Sequence, residues 1–211
     1  THEILLEENE FLNYNTYGQQ DGFGDYCFSN FVTDDGAYAL WQSERDDLAR
    51  LFRYDAKTGA LLNAVTPADC MAGKIIAKDD VNEWVYFIGS NLSDTSEPYY
   101  ERLCRAHYDG SDFSVLTPED GMHTCTVHGN YVTDTWSRVD IPPVTVLRRT
   151  DGTFVRDIVQ SDVRDLMERG YIMPERFTVT ASDGVTKLYG ILIRPADFDP
   201  NKTYPMIDYI Y

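Results

Sequence analysis

A short strand-like run ending in serine recurs along this chain at a fixed interval. Tyr38-Ala39-Leu40-Trp41-Gln42-Ser43, Val85-Tyr86-Phe87-Ile88-Gly89-Ser90 and Val132-Thr133-Asp134-Thr135-Trp136-Ser137 place their serines 47 residues apart, then 47 again. A second strand follows each run: Arg50 to Tyr54, Arg102 to Tyr108, and Val144 to Arg148. A glycine-bearing turn comes next (Asp55 to Gly59, Asp109-Gly110, Asp151-Gly152), then a third strand, Leu61–Val65, Phe113–Leu116 or Phe154–Val159. Two units close alike, with Thr66-Pro67-Ala68-Asp69 and Thr117-Pro118-Glu119-Asp120. Asp-Gly turns supply the positive φ that joins antiparallel strands. Strands this short cannot bury a face alone, and a repeat of three or four of them is the size of a propeller blade, which stacks on its neighbours. A β-sandwich spaces strands similarly but does not repeat in this way. The expected fold is therefore all-β, a partial β-propeller of about three to four blades. Glu3 to Phe31 reads as a fragment of another blade. A closed ring usually needs four to eight blades, so the chain is expected to be part of a larger one.

Charge narrows the partners. Lys and Arg total 18 against 35 Asp and Glu in 211 residues, a formal charge of −17. Nucleic acid is not an expected partner, because its phosphates need a cationic face. An anionic membrane surface is disfavoured for the same reason. No run of about 18 apolar residues is present, so no membrane-spanning segment is expected. Thr1 to Glu8 shows neither a basic region nor a signal-type apolar core, and there is no initiator Met. The chain thus reads as a processed product or an excised piece.

The four cysteines, Cys27, Cys70, Cys104 and Cys125, form no C-x-x-C pair, which argues against a zinc ribbon or thioredoxin motif. They read as small buried hydrophobes, although disulfides stay open and three pairings exist. His123 and His128 flank Cys125 without the tight, carboxylate-supported spacing of a metal site. No metal and no cofactor is expected. Ser161 to Arg169 reads as a connecting helix, with Ser161 as N-cap and Gly170 after its end. Trp41, Trp84 and Trp136 fall at or beside the repeating strand and read as blade packing, which weighs against a glycan-cleaving propeller with stacking tryptophans around paired carboxylates. Glu44-Arg45-Asp46 reads as a structural ion-pair turn, and Glu7-Glu8 as solvated surface.

From residue 175 the character changes. Arg176–Thr180 and Lys187–Pro195 read as strands around an Asp183-Gly184 turn, and Tyr204–Tyr211 as a third strand with an apolar, buried centre. Residues 1–174 are accordingly assigned to the C-terminal part of a β-propeller, and 175–211 to the first strands of a truncated second domain. The segment Ala181-Ser182-Asp183-Gly184…Leu188-Tyr189-Gly190…Arg194-Pro195…Phe198-Asp199-Pro200…Tyr204-Pro205…Tyr209-Ile210-Tyr211 resembles the start of the α/β-hydrolase domain of prolyl oligopeptidase-type serine peptidases. Upstream, Trp41-Gln42-Ser43-Glu44-Arg45-Asp46…Leu51-Phe52-Arg53-Tyr54-Asp55, Val85-Tyr86-Phe87 and Asp134-Thr135-Trp136-Ser137…Pro142-Pro143 resemble late blades of the dipeptidyl peptidase IV branch. The likeness covers roughly residues 20–211. It departs at Asp47-Leu48, where the family usually carries Gly or Trp.

The resemblance implies a secreted or periplasmic serine exopeptidase that releases N-terminal dipeptides, often after Pro, with peptide substrates and a homodimeric parent. The propeller would cap and gate the active site. In such enzymes the nucleophile stands on a G-x-S-x-G elbow, followed by Asp and His. None of the ten serines here has that context, so the chain alone is expected to be inactive. The resemblance assigns one catalytic position, Tyr211, as an oxyanion-hole donor in the parent. The family's substrate-amine Glu pair has no counterpart. Asn91-Leu92-Ser93 and Asn201-Lys202-Thr203 match the glycosylation sequon, of use only in a secreted eukaryotic protein. The competing reading is a non-enzymatic β-propeller binding module, which would have no reason to carry the segment after Phe177.

Overall fold

The computed structural model describes residues 30–93 and 95–210. They form two compact units. One holds the described residues up to Arg138 with Pro143–Gln160, and the other holds Val139–Pro142 with the described residues from Ser161 onward.

The first unit is built from three successive four-stranded antiparallel meanders. The first comprises β1 (Asn30–Val32), β2 (Tyr38–Ser43), β3 (Arg50–Asp55) and β4 (Leu61–Ala64). The second comprises β5 (Met71–Asp79), β6 (Trp84–Ser90), β7 (Arg102–His107) and β8 (Ser114–Val115). The third comprises β9 (Met122–His128), β10 (Tyr131–Arg138), β11 (Ile141–Arg149) and β12 (Phe154–Gln160). In each, every strand pairs with its sequence neighbour. The three serine-ended runs are the second strand of their respective sheets, so the 47-residue period is a true structural repeat. The architecture is a partial β-propeller, and these meanders are its blades.

The strand missing from the sequence reading is the first of each blade. Asn30 and Phe31 belong to β1, so they open the first described blade and not a preceding one; residues 3–29 of that segment lie outside the described residues. In β5 the pairing with β6 is irregular between Ala72 and Ala77, which spoils the alternation that marks a strand.

Neighbouring blades lock together through repeated devices. One face of the second blade presents Ala72, Val85, Phe87, Cys104 and Ala106 to Leu40, Leu51 and Val65 of the first, all buried. Its opposite face sets Tyr86, Leu103 and Leu116 against Cys125 and Val132 of the third. The Thr-Pro closures act alike. Thr66 Oγ1 accepts from the Leu51 amide at 3.1 Å, and Thr117 Oγ1 from the Leu103 amide at 3.0 Å. Each hydroxyl thus supplies the acceptor for the central strand's amide at the end of the ladder, just before the proline. At the seam of blades one and two, Asp80 accepts from the Tyr108 hydroxyl at 2.6 Å, from Lys78 Nζ at 2.7 Å and from the Asp34 amide at 2.7 Å. Burial opposes the charge on Asp80, but these donors outweigh it and hold the carboxyl below its usual range.

Gly110 shows why the hairpin turn needs glycine. Its φ is +85°, and a Cβ there would lie 2.5 Å from the Ala64 carbonyl oxygen of the preceding blade. Gly36 has a similar φ of +69° and nothing within 4 Å. Gly36→Ala should therefore cost only the left-handed backbone penalty of about 1–2 kcal/mol. Gly110→Ala should cost clearly more, because the turn must also lift from the neighbouring blade. Urea melts of the two variants test this, and equal losses would refute the seam contact.

The second unit contains α1 (Arg164–Glu168) and a hairpin of β13 (Glu175–Thr180) and β14 (Lys187–Leu192). The helix is shorter than the sequence suggested and Ser161 does not cap it. Asp162 Oδ1 instead accepts from the Arg164 amide at 3.0 Å. Tyr204–Ile210 is not a strand, and Met206, Ile207, Tyr209 and Ile210 are exposed. Apolar composition alone does not make a strand, and among the described residues no partner strand pairs with this segment.

Candidate functional site

The only catalytic assignment made from sequence, Tyr211, lies outside the described residues, as do Cys27 and Glu7-Glu8. The chemistry that the described residues bring together is elsewhere, in the third blade.

Asp134 stands three residues before its serine, as Leu40 and Phe87 do in the other two runs, and all three are completely buried. Leu40 faces the next blade, whereas Phe87 faces the preceding one and is the counterpart of Asp134. A carboxylate there must be compensated, and three neighbours do so. His123 Nδ1 lies 2.8 Å from Asp134 Oδ1, and Arg148 Nε donates to Asp134 Oδ2 at 3.0 Å. The Cys125 thiol also donates to Oδ1, at 3.5 Å. Arg148 Nη2 continues to Glu119 Oε1 at 2.5 Å, and His123 Nε2 lies 2.9 Å from the Glu119 carbonyl oxygen. The Trp136 ring stacks on His123 with centroids 6.1 Å apart.

Strand β9 supplies His123 and Cys125, β10 supplies Asp134 and Trp136, β11 supplies Arg148, and the linker from blade two supplies Glu119. Burial opposes ionisation of Asp134, but the hydrogen bonds and charges of His123 and Arg148 outweigh it and hold the carboxyl below its usual range. Burial, with the Asp134 charge beside it, pushes the Cys125 thiol well above its ordinary range, so it is a poor nucleophile. Ligand-type atoms of Glu119, His123 and Asp134 all lie within 4.8 Å of one another, the spacing of a cation site. The Arg148 guanidinium already supplies the cation. With the His123 and Asp134 side chains fully buried, the cluster offers nothing to a substrate. Its chemistry is structural.

The histidine reading from sequence thus needs correction. His123 does have carboxylate support, from Asp134 on the neighbouring strand β10, and His128 is exposed at the far end of β9. A visible signal was the charged residue at a repeat position that is apolar in the other two blades.

The remaining sequence candidates are structural too. Arg45 Nε donates to Ser43 Oγ at 2.9 Å, and its guanidinium also bonds the Tyr54 hydroxyl and lies 4.4 Å from the Phe52 ring centroid. Asp46 pairs with Arg50 at 2.5 Å. Trp41 packs on Ala39, Phe52 and Tyr54, and Trp84 lies beneath the Arg105 guanidinium at 4.3 Å. Cys70, Cys104 and Cys125 are buried thiols. Among the described residues no helix is long and apolar enough to cross a membrane.

Comparison with known proteins gives these blades a family. The model of the dipeptidyl peptidase IV (DPP IV) N-terminal region matches residues 21–143. Among solved structures, dipeptidyl peptidase 4 of Porphyromonas gingivalis superposes with a TM-score of 0.65 at 21% identity, over 82% of this chain and 24% of that one. A Bacteroides ovatus protein provisionally described as a dipeptidyl aminopeptidase IV superposes with a TM-score of 0.64 at 22% identity, over 82% of this chain and 27% of its own. At such identities the structures speak for the fold, and the chain spans about a quarter of the length of either. The family match covers more than half of the chain and falls on the blades described above: this chain belongs to the dipeptidyl peptidase IV N-terminal region family.

Proposed function

We propose that this chain is the late-propeller portion of a serine exopeptidase that releases N-terminal dipeptides, preferentially after Pro. Membership of the dipeptidyl peptidase IV N-terminal region family carries the reading. In it, residues 1–174 cap and gate the active site, and 175–211 begin the α/β-hydrolase domain. The β13–β14 hairpin supports this over a pure binding module. Phe177, Val179, Leu188 and Ile191 are all about half exposed, and a two-stranded ribbon with such faces is marginal by itself. Further strands of a hydrolase sheet would cover it. Peptides are the substrates, the parent enzyme is secreted or periplasmic and homodimeric, and Tyr211 completes the oxyanion hole.

The test uses the full-length protein with Gly-Pro-p-nitroanilide, its N-acetylated counterpart and a fluorophosphonate serine probe. Hydrolysis of the free-amine substrate alone, with labelling of one serine, is expected. Equal turnover of the acetylated substrate would refute dipeptide release from a free N-terminus, and no labelling would refute the serine mechanism. The 211-residue chain by itself is expected to show neither activity nor labelling.

A further inference from the structure

The two faces of the second blade are unlike. The seam with blade one has an apolar layer including Leu40, Ala72 and Phe87, its ions standing elsewhere, at Asp34, Lys78 and Asp80. The seam with blade three puts ions at the matching positions. Ala72 and His123 each stand six residues after the closing Thr, and each amide bonds the preceding blade: Ala72 to the Ala49 carbonyl at 2.7 Å, His123 to the Glu101 carbonyl at 3.0 Å. His123 replaces the alanine, and Asp134 the phenylalanine.

Hydrogen-bond stoichiometry decides what the seam requires of His123. Its Nε2 faces a backbone carbonyl, which can only accept. Its Nδ1 faces the Asp134 carboxylate, which is held ionised and also only accepts. Both contacts are satisfied only when each ring nitrogen carries a proton. The layer then balances, with His123 and Arg148 against Asp134 and Glu119. A ring with one proton would set a lone pair against an acceptor oxygen, in a site closed to water.

We propose that the seam between the second and third blades is a proton-operated latch, in which the doubly protonated His123 ring fastens the linker Thr117–Gly121 to the third blade. Loss of the ring proton frees the Glu119 carbonyl, leaves Arg148 facing two carboxylates, and lets the linker lift. The linker is well placed to pass this on. Asp120 Oδ1 accepts from the Ser96 amide of the blade-two loop at 2.8 Å, and Asp120 Oδ2 pairs with Arg138 at 2.9 Å. The groups facing His123 are Asp134 on β10, Cys125 on β9, Arg148 on β11, and Glu119 on the linker. From blade two comes Glu101, whose backbone carbonyl accepts from the His123 amide and whose carboxyl burial pushes upward.

Hydrogen–deuterium exchange of the full-length protein tests the latch. After correction for intrinsic exchange, protection of residues 117–123 should fall about tenfold between pH 5.5 and pH 8.5, the scale of one buried group left unpaired. Protection at the blade one–two seam, read at Ala72 and Leu51, should not change. In His123→Gln the linker should be poorly protected at pH 5.5 and no worse at pH 8.5. Imidazole ¹⁵N shifts of the wild-type protein give a second reading that needs no variant: both nitrogens should be protonated at pH 5.5, and the change to the neutral ring should track the loss of protection. A neutral His123 ring at pH 5.5, pH-independent protection of the linker, or the same pH dependence in His123→Gln would each overturn the proposal.

Discussion

Tyr211→Phe in the full-length enzyme should lower kcat by on the order of 10²–10³ while KM changes little. The reasoning starts from the reaction. A phenol that donates to the developing oxyanion acts on charge present in the transition state and hardly at all in the bound substrate. Its loss therefore appears in kcat, at about 3–4 kcal/mol. A tyrosine serving only as a strand aromatic would lose one hydroxyl, worth about 1 kcal/mol of stability, with kcat nearly unchanged. Steady-state kinetics on a Xaa-Pro chromogenic substrate separates the two, with a thermal melt to verify folding. A kcat within about threefold of the parent's would reject the oxyanion assignment.

Asp134→Asn should be the most damaging substitution in the described blades. It leaves His123 and Arg148 in a closed site with Glu119 as their remaining counter-charge. Breaking a buried ion cluster this way costs about 3–5 kcal/mol. For a domain of this size that lowers Tm by roughly ten degrees. The deficit should depend on pH. The Asp134 carboxyl is depressed in the folded protein, so its contribution is present above its unfolded value and is lost as pH falls through the lower folded one. The gap between the wild-type protein and Asp134→Asn should thus be fully open at neutral pH and narrow below about pH 4. A gap unchanged from pH 7 to pH 3 would show that Asp134 is not the bridging anion. Replacing the layer together tells the same story from the other side. His123→Ala, Asp134→Phe and Arg148→Met in one protein rebuilds the apolar layer of blade two, and should be less destabilised than Asp134→Asn alone.

Asp134 also marks where sequence reading reached its limit. The run Val132–Ser137 was legible as a strand because its serine keeps the 47-residue period. The same alignment placed Asp134 beside Leu40 and Phe87, yet its partners come from two other strands, and only the folded blade joins them. Second, third and fourth strands were legible because alternation and Asp-Gly turns are local. First strands were not: β5 carries an irregular ladder, and β9 alternates with Thr and His outside, which reads as polar text. Tyr204–Ile210 went the opposite way. Its apolar content suggested a buried strand, but pairing is a property of two segments, and composition reports on one.

The meander order of the blades has a kinetic consequence. Every ladder joins strands adjacent in sequence, so each sheet closes over short loops at little entropic cost. A blade can acquire its backbone pairing soon after leaving the ribosome, before the next exists. Its faces cannot finish until a neighbour arrives, which couples each blade to the one before and the one after, as in linear repeat proteins. The two seams then set different waiting times. Apolar side chains such as Phe87 and Leu40 can collapse approximately and adjust later, whereas Asp134, Arg148 and Glu119 release their water only when all are in register. Docking of the third blade on the second, with its fully buried ions, is therefore expected to be the more all-or-none of the two steps.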